Sequence, residues 1–119
     1  MIYIFSKDMS FSALLDIYGN ILSERKKEIL EYYYFDDYSL SEISELTGIS
    51  RQGVRDSIKK GEEEIKNLEN SLNIHENDIK LKNHLISVAN KLKDLNNKYH
   101  DEDLLDLIKE IDSIIENDN

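Results

Sequence analysis

SLSEISELTGISRQGVRDSIKKG, residues 39–61, is the stretch whose reading decides the fold. Ser39 followed by Glu42 spells a capping box: the serine oxygen accepts the N3 amide and the glutamate reaches back to the cap amide. Leu40, Ile43 and Leu46 then recur at helical spacing. Gly48 stands where that helix must stop, because glycine takes positive φ without a Cβ clash. Ile49 follows as an apolar plug for the turn, and Ser50 caps a second helix that begins at Arg51. A short helix, a glycine turn and a new cap are spaced too tightly for antiparallel stacking. The spacing predicts two steeply crossed helices, a helix-turn-helix.

On a wheel of 100° per residue, Val54, Ile58, Gly61, Ile65, Leu68 and Leu72 fall close to one line. Their alternating spacing of four and three is a heptad seam, so one helix is expected from Ser50 to about Leu72. Gly61 sits on the inner line, where a close helix approach accounts for it. Gln52, Arg55, Asp56 and Lys59 lie on the opposite arc, with Arg51 at its edge and Lys60 alongside. Guanidinium, ammonium and amide groups on one face suit phosphates and base edges, an acidic protein surface or folded RNA.

The charge pattern sharpens this. The 119-residue chain has a net charge of −10, yet residues 50–61 hold four basic side chains against one acidic, a net of +3. The residues before them sum to −5 and those after to −8. A basic island in an acidic chain favours an anionic ligand at that place, while the acidic remainder argues against strong non-specific DNA binding. The absence of cysteine excludes disulfides and thiolate metal sites. With no proline and four glycines, long uninterrupted helices are expected. No apolar run approaches a membrane span, and the opening MIYIF lacks a basic leader, so a cytoplasmic protein is expected.

Outward from the motif, residues 1–9 read either as a short extended arm packed on the bundle or as a frayed terminus. A helix begins near Ser10, with Leu14, Leu15, Ile17, Tyr18 and Ile21 as its apolar stripe and Gly19-Asn20 as its end or a bend in it. Ser23 caps a helix to about Phe35 with Ile29, Leu30 and Tyr33 facing inward and Tyr34 as a further candidate for that face. In the run Tyr32-Tyr33-Tyr34-Phe35, three packed rings and one surface ring are favoured over a base-stacking platform. Asp36-Asp37-Tyr38 is a turn. Residues 73–77 break the pattern. A helix from about Glu76 to Tyr99 then carries Leu81, Leu85, Val88, Leu92, Leu95 and Tyr99 at heptad spacing. After a polar break through Asp101, a last helix spans about Glu102 to Glu116, with Leu104, Leu107, Ile108, Ile111, Ile114 and Ile115 on its apolar side. These two helices close as a hairpin or pair with a second copy.

No catalytic constellation emerges. His75, His84 and His100 stand far apart without zinc spacing, and no phosphate loop, nucleophile elbow or dinucleotide fingerprint is present. Neither an enzyme nor a cofactor or metal site is expected.

The blocks LLDIYGNIL (14–22), EYYYFDDYSLS (31–41), EISELTGIS (42–50) and RQGVRDSIKKGEE (51–63) resemble the YlxM-like family of small bacterial proteins. The resemblance covers roughly residues 10–70, and its most specific block is ISRQGVRDSIKK. It implies a helix-turn-helix similar to region 4 of sigma factors, in which the residues matching Arg51, Gln52, Arg55 and Lys59 face the major groove or its phosphates. It also implies a regulatory role in the signal recognition particle pathway, through the particle's RNA or its GTPase. The alternative is a transcriptional regulator that binds duplex DNA. Ser44 departs from the small alanine usual at that position of the motif, and MIYIF departs from the charged start of the family.

The resulting expectation is an all-α protein. Residues 1–72 would form a sigma-region-4-like helix-turn-helix domain extended by a long helix. Residues 73–119 would form an acidic helical hairpin, packed on the same unit or used for homodimerisation.

Overall fold

A computed structural model of the chain describes residues 9–117. The described residues form six α-helices and no strand: α1 (Met9–Tyr18), α2 (Glu24–Tyr34), α3 (Leu40–Thr47), α4 (Arg51–Leu72), α5 (Ile74–Tyr99) and α6 (Glu102–Asn117), with a 3₁₀ turn (Gly19–Ile21) after α1. The alternatives read for residues 1–9 fall outside the described residues, apart from Met9, whose backbone opens α1. The chain divides into two compact units, Met1–His75 and Glu76–Asn119.

In the first unit α1, α2 and α3 all pack on α4. Phe11, Leu15, Tyr18 and Leu22 meet Ile29, Leu30, Ile43, Val54, Ile58 and Ile65 in one apolar core. Fully burying a side chain of this size contributes about 1.5–3 kcal/mol. Gly61 lies in the same buried line, and a Cβ there would come 2.6 Å from Cδ1 of Leu30. The close approach read from the wheel is therefore real, and Leu30 fills the space. Lys26 of α2 pairs with Glu64 of α4 at 2.6 Å along the edge of this contact.

The α1 stripe differs from its expectation. Phe11, Leu15, Tyr18 and Leu22 turn inward, whereas Ile17 and Ile21 are exposed, Ile21 at 62%. The 3₁₀ turn advances the chain by about 120° per residue instead of 100°. The phase alone does not decide it: the chain leaves the turn at Leu22, which is extended at φ −71° and ψ 160°, and it is this exit that directs Leu22 into the core and leaves Ile21 outside. The aromatic run follows the packed reading: Tyr32, Tyr33 and Tyr34 lie partly buried against the core, and Phe35 is exposed. Tyr34 also stacks on Phe11 with ring centroids 4.8 Å apart.

The expected break over residues 73–77 shrinks to Asn73 alone. Asn73 takes the left-handed conformation at φ 54°, which asparagine tolerates, and its N–H donates to the Glu69 carbonyl at 2.7 Å. The first amides of α5 are satisfied at once. Ile74 N–H donates to Tyr18 Oη at 3.3 Å, and His75 N–H donates to Glu69 Oε1 at 3.1 Å. Tyr18 Oη in turn donates to Glu69 Oε1 at 2.6 Å. Burial, and then this bond to Glu69, push the tyrosine pKa up, so the hydroxyl stays neutral and keeps its proton for the carboxylate. Leu72, the last residue of the predicted seam, lies beyond the core and is exposed.

The second unit is a hairpin. α5 and α6 are joined by His100 and Asp101 alone, and Lys93 Nζ meets Asp112 Oδ2 across the pair at 3.7 Å. His100 turns the chain at φ 50°, and Asp101 caps α6 by accepting the Asp103 amide at 2.8 Å. The seam read on α5 is shifted by one row. Its most buried residue is Ala89; Leu85 and Leu92 are half-buried, and Leu81, Val88, Leu95 and Tyr99 are exposed. On α6, Ile108 is buried while Leu107 and Ile114 are exposed. An apolar arc broader than one row leaves its centre to be set by the neighbouring helix.

Candidate functional site

The motif is built as its local chemistry dictates. Ser39 Oγ accepts the Glu42 amide at 3.1 Å, and Ser39 N–H donates to Glu42 Oε1 at 3.0 Å, closing the capping box. These two bonds, the backbone one first, hold the Glu42 carboxyl below its ordinary pKa of 4.5. Gly48 ends α3 at φ 75°. Ser50 Oγ accepts the Gly53 amide at 3.1 Å and starts α4.

Hydroxyl groups fix the turn between the helices. Ser44 Oγ donates to the Ile49 carbonyl at 2.5 Å, so the serine that replaces the usual alanine ties α3 to the turn. Thr47 Oγ1 donates to the Ile43 carbonyl at 2.8 Å and accepts the Ile49 amide at 3.3 Å. Ile49 packs against the core, as its place in the turn suggested. A Cβ on Gly53 would come 2.7 Å from Ile49 Cγ2, so that glycine makes room for the plug. Leu46, expected to face inward, is 57% exposed. In so short a helix Ile43 alone reaches the centre of the core.

Arg51, Gln52, Arg55, Lys59 and Lys60 are all exposed on the first turns of α4. Gln52, Arg55 and Lys59 share the side away from the buried line of Val54, Ile58, Gly61 and Ile65, with Arg51 at one edge of that arc and Lys60 at the other. The positive end of the α4 dipole adds to their field at Arg51. Two neighbours that sequence reasoning missed shape this face. Gln52 Nε2 donates to Asp56 Oδ1 at 3.0 Å, which ties up one of the two amide N–H groups. Tyr33 of α2 stands where the charges of Glu62, Arg55 and Asp37 all reach it. Burial first, and Glu62 next, push the Tyr33 pKa up, and the nearby Arg55 partly offsets them. Glu62 also accepts the Tyr34 hydroxyl. The basic face therefore ends at an acidic and aromatic border one turn past Lys59. The i,i+4 spacing of Gln52 and Asp56 was a legible signal for the first of these contacts; the approach of Tyr33 from another helix had none.

Crossed helices held by a glycine turn, with the second helix presenting its first turns outward, define a helix-turn-helix protein. The comparisons agree. Residues 5–111 match the model of the UPF0122 family, described as "Putative helix-turn-helix protein, YlxM / p13 like". The chain belongs to the UPF0122 family. It is similar to UPF0122 proteins of Thermoanaerobacter sp. (strain X514), 51% identical over 63 residues covering 52% of this chain and 54% of that one. It is likewise similar to that of Caldanaerobacter subterraneus subsp. tengcongensis, 49% identical over 63 residues, with the same coverage of 52% and 54%. The Listeria innocua serovar 6a protein is 40% identical over 65 residues, 55% of this chain and 59% of that one. The chain thus spans about half the length of the curated relatives it matches. No helix among the described residues is long and apolar enough to cross a membrane.

Proposed function

We propose that this chain is a non-enzymatic, cytoplasmic regulator in the signal recognition particle pathway. It binds the particle's RNA or its GTPase through Arg51, Gln52, Arg55, Lys59 and Lys60. The observation that carries an anionic ligand is the exposure of all five on one end of α4, in a chain whose charge is negative on either side of that stretch. Support for the pathway comes from the resemblance to the YlxM-like proteins. In this reading residues 1–72 act as the helix-turn-helix domain, and residues 73–119 join two copies. The test is a pull-down of particle components with wild-type protein and with an Arg55→Ala, Lys59→Ala double variant. The variant is expected to lose the partner. Equal recovery by both proteins would remove this face from the function.

Duplex DNA is the second reading, favoured by the way the capped turn leaves the first turns of α4 outward. Gln52→Ala would then cost about 1–3 kcal/mol and relax specificity at one base pair, whereas Lys59→Ala would weaken all sequences and flatten the salt slope by about one unit. A mobility-shift comparison of duplex DNA, the particle RNA and the GTPase at one salt concentration separates the two readings. A genome-wide selection that returns no enriched motif would sink the second.

A further inference from the structure

The C-terminal hairpin leaves two apolar rows in solvent. On α5, Leu81, Val88 and Leu95 recur at heptad spacing, and on α6, Leu107 and Ile114 do the same; each is 40–60% exposed. At 100° per residue, each row lies about a quarter turn behind the most buried position of its helix, Ala89 or Ile108. Because the helices are antiparallel, the same rotational sense brings both rows to one face of the hairpin. Lys93 and Asp112 are turned the other way from Ala89 and Ile108, and their ion pair lies on the opposite face, where Ile79, Ile86 and Leu105 are also exposed but, among the described residues, no lysine rim faces an acidic one in the same way.

The rims of that face carry opposite charge. Exposed Lys91 and Lys98 run beside the α5 row, and exposed Asp103 and Glu110 run beside the α6 row. α5 as a whole holds five lysines against three acidic residues, and α6 one lysine against six. The rims also match in height. Lys98 and Asp103 stand equally far from the turn at His100 and Asp101, as do Lys91 and Glu110. Leu95 nearly matches Leu107 in the same way, and Val88 nearly matches Ile114.

We propose that this face joins two copies of the chain, with α5 of one lying antiparallel on α6 of the other in a four-helix bundle. The proposal rests on the reading that residues 73–119 join two copies, and it names the surface that does so. A two-fold axis along the helices keeps heights unchanged. It therefore sets both lysine rims against both acidic rims and buries the four apolar rows together. This self-complementarity selects a second copy over an unrelated protein, which would have to carry both charges in the same register.

Light scattering on the full chain tests it. Wild-type protein is expected at twice the 13.9 kDa chain mass. Val88→Glu sets a charge in the buried centre and is expected to raise the dimer Kd by more than about a hundredfold, with unchanged circular dichroism. Lys91→Glu should raise the Kd roughly tenfold, and adding Glu110→Lys to it should restore most of the loss. A wild-type protein of single-chain mass at every concentration overturns both the face and the two-copy reading. A dimer that Val88→Glu leaves intact overturns the face alone. Should Val88→Glu unfold the hairpin, the exposed charge pair decides: failure of the double reversal to recover the dimer refutes the α5-on-α6 arrangement.

Discussion

α4 and α5 carry apolar residues with the same alternation of four and three, yet the two helices end in opposite situations. The line on α4 is covered by α1, α2 and α3, and Val54 and Ile65 lose all contact with solvent. The corresponding line on α5 keeps Leu81, Val88 and Leu95 half in water. A heptad period states that a helix has a face to bury. It does not say what covers that face, because covering depends on how many other helices can reach it. Three helices reach α4 within its unit, whereas α5 has only α6 within its own.

The largest expected effect breaks this comparison directly. Leu30→Ala, at the centre of the first unit and filling the space beside Gly61, should cost about 2–5 kcal/mol. Leu81→Ala on the hairpin, measured at a dilution where the chain is a single copy, should stay within about 0.5 kcal/mol. Denaturant unfolding of the two variants measures the contrast, and equal losses would mean that the hairpin row is as tightly covered as the core.

Next comes the turn that holds α4 in place. Nothing lies within 4 Å of where a Gly48 side chain would project, so Gly48→Val isolates the backbone cost of φ 75°. It should exceed about 1 kcal/mol, because a β-branched residue resists positive φ. An unchanged melting temperature would show that the turn relaxes without loss. Ser50→Ala removes the cap that accepts the Gly53 amide and should cost about 1 kcal/mol. A cap of the same kind at Asp101 gives the matching test on the hairpin, where Asp101→Ala should lower stability by a similar amount.

The smallest effect is a pH dependence. The folded pKa of Glu42 is depressed, so its contribution is present above the unfolded value of 4.5 and is lost as pH falls through the lower folded value. Wild type should therefore melt above Glu42→Gln at neutral pH, and the gap should close in acid. A gap that persists well below the folded pKa would assign the stabilisation to something other than the ionised capping box.

Signals acting within one turn of chain were legible. The Ser39 capping box, the left-handed Gly48 and the Ser50 cap all form as written, because each bond spans only a few residues. The exposure of Arg51, Gln52, Arg55, Lys59 and Lys60 was legible for the same reason, since Val54 and Ile58 fix which way the helix turns. What surrounds them was not. Tyr33 and Glu62 border Arg55 because α2 packs on α4, and no local pattern encodes the distance between two helices.

The sequence by itself determined six amphipathic helices, the caps at Ser23, Ser39 and Ser50, the helix-turn-helix and the basic island upon it. These follow from hydrogen bonds, backbone conformation and charge that reach no further than the next turn. Tertiary structure alone decided which row of each apolar arc becomes the centre of a contact. It placed Leu22 inside rather than Ile21, and Ala89 rather than Val88. An arc spanning several rows tolerates rotation by one of them, so the choice falls to the shape of the helix that packs against it.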